Sequence, residues 1–343
     1  MRPEPFRIEP IFSERLWGAR SLAPLFPEMN DLKFPVGEAW LTGLDCHIAN
    51  GPFVGQTLGR AWRAMTIGWR GPQFQDDTDF PLLLKFIFPT DKLSIQVHPD
   101  DAYAAAHEAA AGGRGKTEMW YVISVEPGAR LLAGLKPGVT KERFLTALAE
   151  HALEDLFLSH EVCAGDTFFI PAGMPHTIGP GMIICEVQEY SDLTYRIYDY
   201  DRRDSKGTPR QLHIEKALDV MNYYPAPGGK VSTKRKPLTE TVIFEHLMSS
   251  PYFVTDRWEI GSTFEIRRLP SAAFKLWIFL SGSGNVSWVI DNEQGEQRGV
   301  SSGNFQYKQG ECWFMPIGIA SFSIHPKERT ALLETQIPES FEN

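Results

Sequence analysis

The sequence predicts a mainly β protein built from two β-barrels in tandem, with a few short helices. Three observations support this prediction. Short apolar segments bounded by turn residues recur along the chain. Gly (29) and Pro (25) are spread between these segments in a chain of 343 residues, about twice the ~150-residue domain prior. One segment pattern also occurs twice.

Ten predicted strand segments follow one another along the chain. Each is a short apolar run or alternates apolar and polar residues, as strands do. The segments are FPLLLKFIF, KLSIQVH, MWYVISV, ARLLAGL, TFFIPAG, MIICEVQEY, FEIRRL, KLWIFLSG, VSWVI and CWFMPIG.

Helical signals are few. A helix is predicted over 100–111, where Asp100 offers an N-cap carboxylate and Gly112 a stop. A second helix is predicted over 140–157 with Thr140 as N-cap, and a third over 212–223. The strands must therefore supply most of the core.

The repeated pattern divides the chain into two units. GDTFFIPAGMPH (165–176) and GECWFMPIGIAS (310–321) share their Gly, Pro and Gly positions, but Ser321 stands where the first copy has His176. Upstream, EMWYVIS matches KLWIFLS, with Lys275 opposite Glu118. The second barrel is therefore predicted to be degenerate and without a metal. The polar stretch YPAPGGKVSTKRKPLTE reads as a linker, which gives domains over 1–225 and 240–343.

Charge and composition exclude several partners. The 34 Lys and Arg against 43 Asp and Glu give a net charge of −9, which disfavours nucleic acid and anionic membranes. No segment has the length of a signal peptide's apolar core or of a membrane span, so a cytoplasmic protein is expected. The four cysteines lack paired spacing and are expected to be buried free thiols: Cys46, Cys163, Cys185 and Cys312.

Four residues form a candidate metal site. Gln96 and His98 lie two apart in an alternating segment, so their side chains share one face of a strand. Glu118 opens a second strong strand, and a Pro-Gly turn would fix the ring of His176. Two imidazoles, a carboxylate and an amide oxygen suit one Zn²⁺ per chain with an open coordination position.

These motifs resemble a known family. G-x(5)-P-x-G-x(2)-H is similar to the second cupin motif, and Q-x-H followed by Glu is similar to a variant of the first. Dense further phrases between about Phe12 and Tyr223 resemble type I mannose-6-phosphate isomerases of the short bacterial form. These phrases are ERLWG, GEAW, NGPFVGQTLG, KLSIQVHPDD, GKTEMWYV, GDTFFIPAGMPHTIG and EVQEYSDLTYRIYDYDR. GEAWLTG and CHIANGP depart from the family's more usual phrases without touching the metal set.

The resemblance implies a reaction and roles for further residues. The reaction would be the zinc-dependent interconversion of mannose 6-phosphate and fructose 6-phosphate through an enediol. The resemblance implies the same four zinc ligands and a catalytic Arg196, and it places Lys116 and Lys85 in the active site. A cation beside zinc is expected to have a lowered pKa, so Lys116 is a candidate proton carrier. Asp192 and Glu186 compete for that role, and the sequence does not decide among the three.

Other assignments stay open at this stage. Lys85 and Glu186 are expected to bind substrate, and the phosphate would need cations, for which Lys85, Lys92 and Arg114 are candidates. A non-catalytic metal-stabilised cupin that binds a sugar phosphate is the alternative function. Iron-dependent oxygenation is a third reading, since it uses the same ligand types. Partners other than a small sugar phosphate are not expected, and the oligomeric state is not predicted.

Overall fold

Strands pair into two sets of facing sheets in this computed structural model, which describes residues 3–74, 79–204, 206–224, 228–267, 273–292 and 299–338. In the first part of the chain the strands are β1 Phe6–Ile8, β2 Ile11–Ala19, β3 Val36–Trp40, β4 Leu82–Ile87, β5 Ile95–Val97, β6 Glu118–Val125, β7 Arg130–Leu135, β8 Phe157–Glu161, β9 Thr167–Ile170, β10 His176–Ile178, β11 Met182–Glu189, β12 Tyr195–Tyr198 and β13 Gly229–Val231.

The remaining strands follow the predicted linker. They are β14 Lys234–Pro237, β15 Val242–Ser249, β16 Val254–Ile260, β17 Phe264–Arg267, β18 Lys275–Ser281, β19 Ser283–Asn292, β20 Gly299–Lys308, β21 Cys312–Met315, β22 Ile319–Pro326 and β23 Thr330–Gln336.

The mainly β class with tandem units and short helices is confirmed, but each unit is a two-sheet sandwich. In the first, a seven-stranded sheet (β13-β9-β6-β11-β4-β3-β2) faces a five-stranded one (β12-β5-β10-β7-β8). In the second, the sheets are β1-β21-β18-β23-β16-β15-β14 and β17-β22-β19-β20. None of these four sheets closes into a barrel within the described ranges.

Strand β6 shows why apolar runs rather than strict alternation mark the central strands. Met119 and Tyr121 belong to the large core shared by the two halves, whereas Trp120 and Val122 face the interior of the first sandwich. Because both faces are covered, successive residues enter different cores and nearly every position is apolar.

Five short helices accompany the sheets in the described part of the chain. They are α1 Leu58–Ala64, α2 Ile67–Arg70, α3 Asp101–His107, α4 Lys141–Ala149 and α5 Ile214–Val220. Asp100 and Thr140 cap α3 and α4 as predicted, by accepting from the backbone N–H of Tyr103 and Arg143. The prediction over 140–157 was too long: the chain leaves the helix at His151, whose φ is 56°, and enters β8 at Phe157. Helices α1 and α2 were missed.

The region of the predicted domain boundary lies between two strands of different sheets. Strand β13 pairs with β9 of the first sandwich, and β14 pairs with β15 of the second. Residues 225–227 of the predicted linker lie outside the described residues. Strand β1 pairs with β21, so Phe6 lies opposite Phe314 in the second sandwich. The division into 1–225 and 240–343 stays a prediction.

Two further sequence-based expectations can be compared with the described chain. No helix there is long and apolar enough to span a membrane. All four cysteines are free thiols, and Cys46, Cys185 and Cys312 are buried as expected. The expectation was wrong for Cys163, which is exposed in the turn between β8 and β9.

The internal repeat is visible in strand register. Trp120 on β6 lies opposite Glu186 on β11, and its indole N–H donates to that carboxylate at 3.1 Å. In the second sandwich, Trp277 on β18 lies opposite Glu334 on β23 and donates to it at 2.7 Å. The two halves therefore share a buried Trp–carboxylate pair at equivalent positions.

A lysine distinguishes the second copy. Lys275 occupies the register position of Glu118, and its Nζ lies 2.5 Å from Glu334 Oε1, with both side chains largely buried. An ammonium group of the chain therefore neutralises the carboxylate that remains there. Together with Ser321 in place of His176, the second copy lacks two of the residue types predicted as ligands in the first, and the absence of a metal there stays a prediction.

The Lys275–Glu334 pair predicts a stability effect. Lys275→Met should lower the free energy of unfolding by about 3–5 kcal/mol, because it leaves a buried carboxylate without its cation. Denaturant titration would measure this. Lys236→Met, at an exposed position on β14, is the control and should change stability by no more than about 0.5 kcal/mol. Equal effects of the two variants would contradict the account.

Candidate metal centre and active site

Three buried side chains converge inside the first sandwich. Strand β10 pairs with β5, which sets His176 opposite Gln96, and His98 follows the end of β5. Glu118 begins β6 on the facing sheet. The nearest ligand atoms of His98, Glu118 and His176 lie within 4.8 Å of one another, and each side chain is at most 1% exposed.

The ring orientation of both histidines is fixed by the backbone. His98 Nδ1 lies 2.8 Å from the carbonyl oxygen of Leu193, and His176 Nδ1 lies 2.8 Å from that of Met174. A carbonyl can only accept, so each Nδ1 carries the proton and each Nε2 presents a lone pair to the centre. Burial lowers the pKa of His98 well below its usual value and that of His176 to about 4, so both rings are neutral at pH 7.

Glu118 completes a set of lone pairs. Its Oε1 lies 3.3 Å from His176 Nε2 and 3.8 Å from His98 Nε2, and no described residue donates a hydrogen bond to this buried oxygen. Three buried acceptors facing one point repel one another unless a cation lies between them. The donor set fits a divalent metal ion.

Gln96 lies beside this cluster. Its Nε2 is 3.3 Å from His176 Nε2, and its Oε1 is 3.3 Å from Ser94 Oγ. A half-turn of the amide would direct Oε1 to the centre, and Ser94 Oγ could then accept from the amide nitrogen. The four residues predicted as ligands are therefore adjacent.

Lys116 contacts the same cluster from the cavity side. Its buried Nζ is 2.8 Å from Glu118 Oε2 and 3.3 Å from His98 Nε2. Burial acts to lower the pKa of Lys116, but the carboxylates of Glu118 and Glu186 outweigh it and raise that pKa above its usual value. The ammonium group is paired with Glu118 here, and the lowering expected beside bound zinc stays a prediction.

A cavity of about 490 Å³ opens in front of the cluster. Its volume suits a small-molecule ligand, and its mostly charged and polar lining suits a polar one. The predicted site residues that line it are Lys85, Gln96, Lys116, Glu186, Asp192 and Arg196. The structure thus brings these six residues together with His98, Glu118 and His176.

Lys85 and Glu186 face each other on neighbouring strands of the cavity wall. Lys85 Nζ lies 3.9 Å from Glu186 Oε2, 3.3 Å from Asp192 Oδ1 and 4.5 Å from the centre of the Trp40 ring. Burial, with the nearby Glu118 charge, raises the pKa of Glu186 to about 7 despite the lysines. Asp192 lies at the cavity mouth, where its side chain is 60% exposed.

Arg196 enters the cavity from the smaller sheet. Strand β12 pairs with β5, which places Arg196 opposite Gln96. One guanidinium nitrogen donates to the carbonyl of Gln211 at 2.9 Å, and the buried Nε has no partner among the described residues. Burial and the charge of Arg210 lower the pKa of Arg196, although the group stays cationic at neutral pH.

Two predicted phosphate-binding candidates lie elsewhere. Lys92 pairs with Glu154 at 2.7 Å, and Arg114 pairs with Asp79 at 3.0 Å. Neither lines the cavity. Both already have a carboxylate partner at the surface, which is the ordinary environment of an exposed cation.

Sequence reasoning missed several cavity residues. Arg15, Glu38, Arg210 and His213 all line it. Arg15 and Glu38 lie in ERLWG and GEAW, phrases that carried the resemblance, but nothing in their spacing assigned them to the site. Arg210 and His213 follow a loop whose path to the cavity depends on tertiary structure.

The chain is similar to known proteins over most of its length. No family model matches the chain. It is 40% identical to the mannose-6-phosphate isomerase of Streptococcus mutans serotype c (strain ATCC 700610 / UA159) over 209 residues, 61% of this chain and 63% of that protein. It is 31% identical to the mannose-6-phosphate isomerase ManA of Bacillus subtilis (strain 168) over 330 residues, 94% of this chain and 96% of that protein. The chain belongs to the mannose-6-phosphate isomerase family.

The structural comparison agrees with that membership. The crystal structure of the mannose 6-phosphate isomerase from Bacillus subtilis superimposes with a TM-score of 0.83 at 28% identity, covering 98% of this chain and 100% of that one. The resemblance to this isomerase family found in the sequence is confirmed, and the tandem architecture is shared over nearly the whole length.

The convergence of lone pairs predicts metal dependence on His176. His176→Ala should lose bound metal and activity together, because one of two imidazole donors is removed. Elemental analysis of dialysed protein would measure metal per chain. Arg196→Ala is the control, because it removes a charge from the cavity and leaves all the predicted metal ligands in place. It should keep the metal and lose turnover. Two tightly bound metal ions per chain, or normal metal content in His176→Ala, would contradict the site.

Proposed function

We propose that this protein interconverts mannose 6-phosphate and fructose 6-phosphate through an enediol, using one Zn²⁺ per chain. The observation that carries the proposal is the buried cluster of His98, Glu118 and His176 at the wall of a charged cavity, in a chain of this isomerase family. A cytoplasmic location and a small sugar phosphate as partner accompany the proposal.

The reaction moves one proton between adjacent carbons. A base takes the proton from C2 of the open-chain aldose, the C2–H electrons form the C1–C2 double bond, and the aldehyde oxygen gains a proton. The enediol then loses the proton of its C2 hydroxyl, and C1 receives a proton, which leaves the ketose. No oxidant is consumed, so the site needs only proton carriers and stabilisation of negative charge.

The metal would be held by Gln96, His98, Glu118 and His176. Two neutral imidazoles with a carboxylate match the ligands of catalytic zinc sites, and the amide oxygen adds a fourth donor. When bound, the ion supplies Lewis-acid stabilisation of negative charge on the substrate oxygens. The backbone acceptors at both Nδ1 atoms keep the rings oriented for this task.

Three residues compete to move the carbon-bound proton. Glu186 is buried in the cavity wall with a pKa of about 7, which suits a general base at neutral pH. Lys116 is protonated beside Glu118, so it serves better as a proton donor or as a charge near the developing oxyanion. Asp192 is largely exposed, and its carboxylate is paired with Lys85. Burial in the cavity wall and a pKa near neutrality favour Glu186.

Arg196 and Lys85 supply positive charge to the cavity. Arg196 stays protonated and therefore stabilises an anion rather than accepting a proton. Lys85 lies against the Trp40 ring between Glu186 and Asp192, where it can orient either carboxylate and donate to a substrate oxygen. A non-catalytic sugar phosphate receptor would have no use for a buried base of pKa near 7 beside the metal ligands.

The proposal predicts chelator-sensitive isomerisation. Mannose 6-phosphate should be converted to fructose 6-phosphate in a coupled assay, turnover should cease after treatment with a chelator, and added Zn²⁺ should restore it. Binding of mannose 6-phosphate by zinc-loaded protein without turnover would instead identify the non-catalytic receptor. Consumption of O₂ with restoration by Fe²⁺ would identify an oxygenase.

The raised pKa of Glu186 predicts an acidic limb in the pH dependence of kcat. With Glu186 as base, kcat should fall about tenfold per pH unit below about pH 7, as the carboxylate becomes protonated. Glu186→Gln should lose most turnover and this limb while keeping its metal. Asp192→Asn is the matched control and should retain the limb. A limb that persists in Glu186→Gln and disappears in Asp192→Asn would assign the base to Asp192.

A further inference from the structure

An irregularity in strand β2 brings a second group of polar residues to the cavity. Glu14 and Ala19 both register with Val36, so residues 15–18 leave the ladder as a bulge of four residues. Arg15 and Trp17, within this bulge, line the cavity. Bulges next to active sites commonly redirect side chains in this way.

Gly37 makes the bulge possible. A Cβ atom at this position would lie 2.5 Å from Arg15 Cβ and 2.7 Å from Trp17 Cζ3, closer than real contacts allow. Its neighbour Glu38 projects from β3 towards the cavity, opposite the Arg15 side chain. The GEAW phrase thus combines the one residue type that admits the bulge with a carboxylate beside it.

Two donors fix one oxygen of Glu38 and leave the other available. Arg15 donates to Oε2 at 2.6 Å, and the Trp40 indole N–H donates to the same atom at 2.9 Å. No described residue donates a hydrogen bond to Oε1. Arg15 is itself anchored by Ser13 Oγ and by the Glu14 carbonyl at 3.0 Å, so the carboxylate is held by a rigid partner.

The charge of Glu38 is stabilised by its neighbours. Burial acts to raise its pKa, but the charges of Lys85 and Arg15 and the hydrogen bond from Trp40 outweigh burial, and the pKa lies below its usual value. The side chain is therefore an anionic acceptor at neutral pH. Hydrogen bonds to charged groups are about twice as strong as neutral ones.

We propose that Glu38 accepts a hydrogen bond from a hydroxyl group of the sugar and thereby sets which 6-phosphorylated aldose is turned over, with Arg15 as its positioning residue. This rests on the proposed function. The phosphate cannot be the ligand of Oε1, because two anions would repel each other there.

The position of Glu38 identifies the class of hydroxyl. Strand β3 is separated from β6, which carries Glu118, by β4 and β11. Glu38 therefore lies at the end of the cavity away from the metal cluster. With C1 and C2 at that cluster, the hydroxyls beyond C2 are the candidates for Glu38, and those on C3 and C4 can be removed without altering the pyranose ring.

The test uses substrates that lack one hydroxyl. Wild-type enzyme should turn over either 3-deoxy or 4-deoxy mannose 6-phosphate with kcat/KM reduced roughly 10- to 100-fold relative to mannose 6-phosphate. Glu38→Ala should lower kcat/KM for mannose 6-phosphate by a similar factor and reduce the discrimination against that analogue to within about threefold. Glu38→Gln keeps the shape of the side chain and loses its charge. Its discrimination against the analogue should therefore lie between those of the wild type and Glu38→Ala.

Matched variants separate positioning from general damage. Arg15→Met should lower the discrimination as Glu38→Ala does, and Arg15→Lys should restore part of it, because an ammonium group can still pair with Glu38. Arg20→Met, at an exposed position outside the cavity, should leave both substrates unchanged. Metal content and thermal melting would confirm that each variant is folded.

The outcomes are distinct. The role of Glu38 would be overturned if Glu38→Ala lowered kcat/KM equally for mannose 6-phosphate and both analogues, because discrimination against the analogues would then be retained in full. If Arg15→Met kept the discrimination and instead lost the preference for mannose 6-phosphate over mannose, Arg15 would bind the phosphate and its positioning role would be wrong. Absence of isomerase activity in the wild type would overturn the proposed function itself, before any variant is compared.

Discussion

The buried carboxylate of Glu118, facing two neutral imidazoles, is the constraint on which the site depends. A carboxylate with no exposed surface is costly unless a cation accompanies it. In the first sandwich, Lys116 neutralises one oxygen, and the other points at His98 and His176. In the second sandwich, a lysine replaces the carboxylate itself. The same fold therefore meets one electrostatic requirement in two ways, and among the described residues a cluster that could hold a metal ion is found in the first sandwich.

Strand pairing then determines where the remaining charges lie. Across neighbouring strands of the large sheet, the inner face presents Glu118, Glu186, Lys85, Glu38 and Arg15. Opposite charges adjoin along most of this row, so each side chain has a partner that holds it in place. The cavity as a whole is lined by five cations, Arg15, Lys85, Lys116, Arg196 and Arg210, against three carboxylates. A protein of net charge −9 can therefore still offer a cationic environment to an anionic ligand. The ligand is affected mainly by the charged side chains that line the cavity, and much less by the net charge of the chain.

The sequence predicted the metal cluster because its residues are tied to strand register and to one turn. Two local patterns were enough to predict three of its residues: the alternation in β5 for Gln96 and His98, and the Pro-Gly turn before β10 for His176. Residues placed by long-range structure could not be found in this way. The bulge that presents Arg15 has no signature in residue spacing. Lys92 was a candidate for binding phosphate because the sequence does not reveal its ion pair with Glu154. Sheet closure and the end of α4 likewise depend on tertiary packing.

Zinc K-edge X-ray absorption of the purified, zinc-loaded protein tests the central claim most directly. We expect one zinc per chain, with two imidazole nitrogens and oxygen donors at about 2.0–2.2 Å, and a fall from two imidazole ligands to one in His98→Gln. Zinc bound by sulfur, by a single imidazole or at two equal sites per chain would contradict it. In that case the buried carboxylate of Glu118 would need another cation, and Lys116 would be the remaining one.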